Sequence, residues 1–297
     1  MKTLFALVGR HRRLYFKDKG MLIYSFISPV ILIVLYATFL AKVFKESFLS
    51  ALPEFFNVSE KLINGTVAAQ LTAALLAVSC VTVTFSVNFT MVQDKVTGAR
   101  KDLNIAPVGK PTICLSYFIS TVFNSLLVNL AALALCLLYV WSAGWFLTFA
   151  DVVLLVGNVV LLVVFGTVLS SVISYHMSTQ GQMSAVGMIV GSGYGFLSGA
   201  YMPISSFGKG LRDVLLHLPG TYGTSLLKNR MLRGVFEEME AESFPPEAVE
   251  GIRNALDCSM TVHGHEFTGP EMLLIMLASI AVLGALYFLM IKLDKKK

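Results

Sequence analysis

Hydrophobic positions fall into six long runs separated by polar stretches: Met21–Ala41, Thr66–Met91, Ile113–Val140, Val152–Tyr175, Met183–Met202 and Met272–Ile291. A hydrocarbon core of roughly 30 Å is crossed by about 20 helical residues. Lipid offers no partner to a free backbone N–H or C=O, so each run is expected to be a transmembrane helix. Two shorter patterns accompany them. Within residues 2–19, Leu4, Leu7, Val8, Leu14 and Tyr15 make one stripe at helical period, with Arg10, Arg13 and Lys17 mostly opposite. Such a basic amphipathic helix lies along a membrane surface. After the fifth run, Phe207, Leu211, Val214, Leu215 and Leu218 repeat at i, i+4, i+7, i+8 and i+11. That helix is too short to span, should be re-entrant or interfacial, and should end at Pro219-Gly220. The expected fold is an all-α membrane protein with six transmembrane helices. Residues 1–20 are an interfacial helix, and 21–297 form the six-span domain.

Composition agrees and charge orients it. The chain is 56% hydrophobic and 14% charged, whereas soluble domains carry about 25% charged residues. Lys2, Arg10, Arg12, Arg13, Lys17 and Lys19 precede the first run against a single Asp18. Lys95, Arg100, Lys101 and Lys110 sit between the second and third, and Lys292, Lys295, Lys296 and Lys297 form the tail. On the opposite face Lys42, Lys45 and Lys61 are balanced by Glu46, Glu54 and Glu60. The excess of basic loops marks the cytoplasmic side, which places both termini there. The net charge of +5 is thus an orientation signal, not one for nucleic acid. The first run is longer than a signal-peptide core. Cys258 is alone in the outer segment 203–271, so no intrachain disulfide is expected there and its thiol should be reachable from outside.

The second run is rich in hydroxyls and amides, from Thr66 and Thr72 through Ser79, Thr82, Thr84, Ser86 and Asn88 to Thr90. These either bond between helices or line a path. Gly187, Gly191, Gly195 and Gly199 recur every fourth residue and define a face for close helix packing or a moving gate. No Asp, Glu, Lys or Arg lies clearly inside a run, whereas carriers driven by ions or protons bury such groups. No phosphate-binding G-x-x-x-x-G-K-[ST] loop is present. His263-Gly264-His265 with Glu266 makes a weak metal site at best, and no catalytic, metal or cofactor residues are assigned. The acidic stretch Glu237–Glu271 has six Glu between positions 237 and 250 and reads as a solvated helical cap.

The polar segment 93–112 holds Asp94, Lys95, Gly98, Arg100, Leu103 and Pro107, long enough for a docking helix. Its D-K-x-x-G…L…P pattern resembles the first cytoplasmic loop of the type-two ABC exporter permeases. Ser198–Pro203 and Pro219-Gly220-Thr221-Tyr222 resemble the same family around its outer amphipathic segment, here Pro203, Leu211, Leu215, Pro219 and Tyr222. The acidic outer stretch is longer than in many members. The resemblance implies a multi-pass plasma-membrane subunit, of bacterial type, that pairs with a second permease copy amid membrane lipids. Its energy would come from a cytoplasmic ATPase subunit that binds ATP and Mg, with segment 93–112 coupling the two. The cargo implied is a hydrophobic or amphiphilic drug, peptide or lipid-linked glycan. A secondary transporter or channel not driven by ATP is the alternative; a membrane-embedded enzyme lacks the clustered polar groups it would need.

Overall fold

The structure, a computed structural model, describes residues 2–35, 42, 46, 58–262 and 265–294. Among these the chain forms eleven α-helices and one hairpin. In order they are α1 Lys2–Lys17, α2 Lys19–Leu35, α3 Glu60–Val96, α4 Ala99–Ile105, α5 Lys110–Ala143, α6 Phe149–His176, α7 Gln180–Leu197 and α8 Lys209–Leu216. Then come α9 Pro219–Ala241, α10 Pro246–Ala255, the antiparallel strands β1 Met260–Val262 and β2 His265–Phe267, and α11 Gly269–Asp294.

Four helices, α3, α5, α6 and α11, are long and apolar enough to cross a membrane. They correspond to four of the six runs. The first run is helical to Leu35, straight through Pro29, and its residues 36–41 lie outside the described part. The fifth run departs from expectation, because α7 stops at Leu197 instead of continuing to Met202. The cause is local. The amides of Ala200 and Tyr201 both bond to the Gly195 carbonyl, at 2.9 and 3.0 Å. The turn needs Gly199 at φ +70°, a left-handed conformation natural to glycine.

Helix α3 is the axis of the bundle. Its small side chains, among them Ala68, Ala73, Ala77 and Cys80, are buried, and α2, α5, α6, α7 and α9 all pack against it. Its most apolar stretch is 94% buried, against 22% for α5 and 17% for α11, so the latter two carry most of the apolar surface left for lipid. A close approach to α6 is at Gly166, where a Cβ would press on the Thr84 hydroxyl and lie 3.1 Å from the Val81 backbone. The α3 hydroxyls and amide bond within the bundle. Thr66, Thr82, Thr84 and Thr90 donate to carbonyls one turn back on their own helix. Ser86 donates to the Met21 carbonyl of α2, and Asn88 to Ser170 and Ser171 of α6.

At the far end of the bundle the acidic stretch is a folded cap, not a solvated one. Phe236, Met239, Phe244, Val249, Ile252, Leu256 and Met260 join the main core, and Arg253 lies 4.3 Å over the Phe236 ring. The glutamates sit on the outward faces. Cys258 is buried here and burial pushes its thiol pKa up to about 12, so it is not the exposed thiol that its loop position suggested. The stretch after Pro203 holds the expected short helix, which stops slightly before Pro219. Helix α8 ends at Leu216, Pro219 starts α9, and Leu211 and Val214 are exposed while Leu215 and Leu216 are buried.

Candidate functional site

The segment that closes α3 and opens α5 builds the most connected polar site. Helix α3 ends at Val96 and is capped by Thr97. Gly98, at φ +84°, turns the chain into the seven-residue α4, and residues 106–109, with exposed Pro107, lead into α5. No residue of α4 is fully buried. Leu103 points inward, against Leu7, Met91, Ile113 and Tyr117, while Ile105 is 84% exposed.

Asp94 and Lys95 stabilise the base of this element. Asp94 is buried and accepts from Arg10 Nη1 (2.5 Å), Arg10 Nη2 (2.9 Å) and the Tyr117 hydroxyl (2.5 Å). One carboxylate thereby joins α1, α3 and α5 through charge-assisted, two-pronged bonding. Lys95 donates to the carbonyls of Tyr175 (2.5 Å), Met177 (2.9 Å) and Ser174 (3.4 Å). A cation at the negative end of α6 satisfies carbonyls that have no helical partner.

His11 completes the knot and was missed in the sequence. Its ring stacks on Tyr117 at 3.9 Å, and its Nε2 lies 3.0 Å from Ser116 Oγ, whose hydroxyl donates to the Ile113 carbonyl. Arg10 Nη1 lies 3.2 Å from Nδ1. The Arg donor at Nδ1 and the committed Ser116 hydroxyl together assign a neutral imidazole with its proton on Nε2. Burial pushes its pKa down to about 4; Asp94 pulls the other way, and Arg10 and Arg100 add to the depression. The available signal was position: Leu7, His11 and Tyr15 are the buried residues of α1, spaced i, i+4, i+8. Tyr15 continues the seam, its hydroxyl 2.8 Å from Ser25 Oγ, which donates to Ser86. The carboxyl end of α11 reaches the same region, where Tyr287 and Ile291 pack on Cys114.

The other predicted positions are divided. Gly187, Gly191 and Gly195 are buried on one face of α7, which packs on α3. Gly199 belongs to the turn and not to that face, a correction that follows from the early end of α7. Gly195 faces the ring of Tyr201, within the same turn, whereas a Cβ on Gly193 would meet nothing. Around the outer segment, Leu215 and Tyr222 are buried, Tyr222 edge-on to Phe267 at 5.4 Å. Pro203 precedes a 3-10 turn and Leu211 is exposed. A cavity of about 600 Å³ opens between α6, α7, α11 and the Leu218–Gly220 junction, with an almost wholly apolar lining that includes Phe165, Leu169 and Val282.

A second ionic group lies at the cap end. Asp151, in the capping box that starts α6, accepts from Arg233 Nε (2.7 Å) and Nη2 (2.9 Å). Buried Lys228 donates to the Gly199 carbonyl (2.9 Å) and meets Asp257 at 3.4 Å. These tie α9 to its surroundings and explain how a helix of ordinary polarity sits inside the bundle.

A family model described as ABC-2 family transporter protein matches residues 50–291. The chain belongs to the ABC-2 transporter family. The match takes in α3 to most of α11, hence both the α3–α4–α5 element and the α7–α8–α9 turns. No individual curated protein matches the chain. Membership makes this chain a membrane component of an ABC transporter, a class of subunit that normally works with a cytoplasmic ABC ATPase. The apolar helices fit a plasma-membrane location.

Proposed function

We propose that this ABC-2 permease is the transmembrane half of an exporter, with α4 as the helix that docks on the ATPase. The observation that carries the reading is α4 itself. It projects from the bundle, presents Ile105, Lys101 and Asp102 outward, and is rooted through Asp94 and Lys95 in α1, α5 and α6. A push on α4 therefore reaches three helices through short, charge-assisted bonds, not through a loose loop. In this reading both termini and α4 are cytoplasmic, following the basic residues. Six spans arise when α2, continued by residues 36–41, and α7 cross alongside the four longer helices. Two copies form the pathway, the partner chain hydrolyses ATP, and ATP binding shifts the pair between two pore states. The buried glycine face of α7 on α3 is where such a shift meets least side-chain resistance. The large apolar cavity supports a hydrophobic or amphiphilic cargo. Of the predicted coupling residues, Asp94, Lys95 and Leu103 are positioning groups, Arg100 lies over the Tyr117 ring, and Gly98 and Pro107 frame the helix; Ile105, outside that set, is the contact.

The test is reconstitution with the partner ATPase in lipid. Ile105→Asp should insert and fold normally but lose substrate-stimulated hydrolysis; full stimulation in that variant would exclude α4 as the docking element.

A further inference from the structure

Helix α1 turns Leu7, His11 and Tyr15 into the bundle and leaves an exposed face opposite them. Phe5, Arg12 and Phe16 are exposed and share one stripe of that face, at i, i+7 and i+11. Arg13 and Lys17 are exposed on the stripes beside it, and exposed Lys19 follows at the start of α2. The Arg12 guanidinium lies 5.8 Å over the ring of Phe123 on α5, which is 48% exposed. That contact fixes the depth of the face. From Phe123 the exposed side of α5 runs through Leu127, Leu130, Leu135 and Leu138 to Trp141 without a charged residue. The distance is about 27 Å at 1.5 Å per residue, close to the roughly 30 Å of a hydrocarbon core. Trp141 is the kind of side chain that marks one membrane interface. Arg12 therefore sits at the other, where headgroups begin, with Phe5 and Phe16 beside it for the first part of the acyl chains.

The charge on this face has no internal answer. Among the described residues, Arg12, Arg13, Lys17 and Lys19 enter no ion pair. Asp18 is the one acid in residues 2–20, and it accepts from the Met21 amide in the first turn of α2. Arg10 is spent on Asp94 and adds nothing here. We infer that this face of α1 is a seat for anionic phospholipid headgroups, held by Arg12, Arg13, Lys17 and Lys19. An acidic protein surface would match the charge, but not the exposed phenylalanines or their continuity with the lipid-facing side of α5. Basic clusters on an amphipathic helix at a leaflet surface attract anionic lipid, each cation adding to the attraction. The seat does not depend on whether α4 docks an ATPase.

The experiment uses the purified full-length chain in mixed micelles, with native mass spectrometry counting retained phosphatidylglycerol against phosphatidylcholine. The chain should prefer phosphatidylglycerol. Arg13→Gln should lower that preference about fivefold, and Arg12→Gln, Arg13→Gln and Lys17→Gln together about a hundredfold, from the typical attraction per cation. Arg12→Lys with Arg13→Lys should keep it, since charge is conserved. Lys209→Gln removes an exposed cation on α8, near the cap, and should leave it unchanged. A chain without the preference, or an equal preference in the triple variant, overturns the inference. So does a triple variant that keeps the preference but no longer holds the ATPase subunit, which gives the face to a protein partner.

Discussion

Replacing Asp94 by Asn tests the knot most sharply, because it keeps shape and removes charge. Asp94 accepts three bonds; the amide keeps one acceptor oxygen and turns a donor toward Arg10 or Tyr117. At least one charge-assisted bond is lost, about 1.5–3 kcal/mol. The Arg10 counter-charge goes as well. Two charges 4 Å apart are worth about 4 kcal/mol at an effective dielectric of 20. Arg10 is 33% exposed, so water takes up much of that interaction and the figure is discounted strongly. The cost to docking of α1 then comes to roughly 2–4 kcal/mol. Amide hydrogen exchange reports it directly: α1 should exchange about 30- to 900-fold faster, by linkage of opening free energy to rate. Amides in the middle of α6 and α11 should hardly change. Less than threefold acceleration in α1, or equal acceleration in every helix, would refute the claim that Asp94 specifically secures α1.

Three further outcomes are expected. The His11 pKa is depressed in the folded chain, so its contribution to α1 docking is complete above the ordinary imidazole pKa near 6.5 and is lost as pH falls toward about 4. Exchange in α1 should rise over that window, and His11→Phe should flatten the profile. Gly195→Ala forces a methyl into the Tyr201 ring and should cost about 1–3 kcal/mol in thermal unfolding; Gly193→Ala, inside the helix and facing open space, should cost nothing and stabilise by up to about 1 kcal/mol. Cys258 should resist a polar thiol reagent in the folded protein and react fully after denaturation, since it is buried and its pKa is about 12. Rapid labelling of the native chain would mean that the cap opens.

Four of the six runs were legible as membrane-length helices because lipid leaves a long apolar run one choice of backbone. The position of the α4 element was legible too, from Gly98 and Pro107 flanking a charged segment. The knot was not. His11 and Ser116 are 105 positions apart, and only the register of α1 on α5 brings them together. Helix α9 was hidden by its own composition. Gly220, Thr221, Gly223, Thr224 and Ser225 look like a polar linker, yet they are small enough to be buried against α3 and α6. Its Lys228 is acceptable at depth only because Asp257 and the Gly199 carbonyl, both supplied by tight turns, are waiting for it. In the cap, the outward glutamates concealed Ala248, Val249 and Ile252, which form the buried stripe of α10. The end of α7 was misjudged because the four-residue glycine spacing continues through Gly199 while the helix does not.

The central claim, that α4 meets the ATPase, is tested most directly by site-directed cross-linking. In a chain freed of its native cysteines, Ile105→Cys is combined with the co-expressed ATPase carrying cysteines on its membrane-facing surface. Trp141→Cys, 71% exposed at the opposite end of α5, serves as the control. Oxidation should join Ile105→Cys to the ATPase and leave Trp141→Cys unlinked. Cross-linking at Trp141→Cys and not at Ile105→Cys would contradict the account.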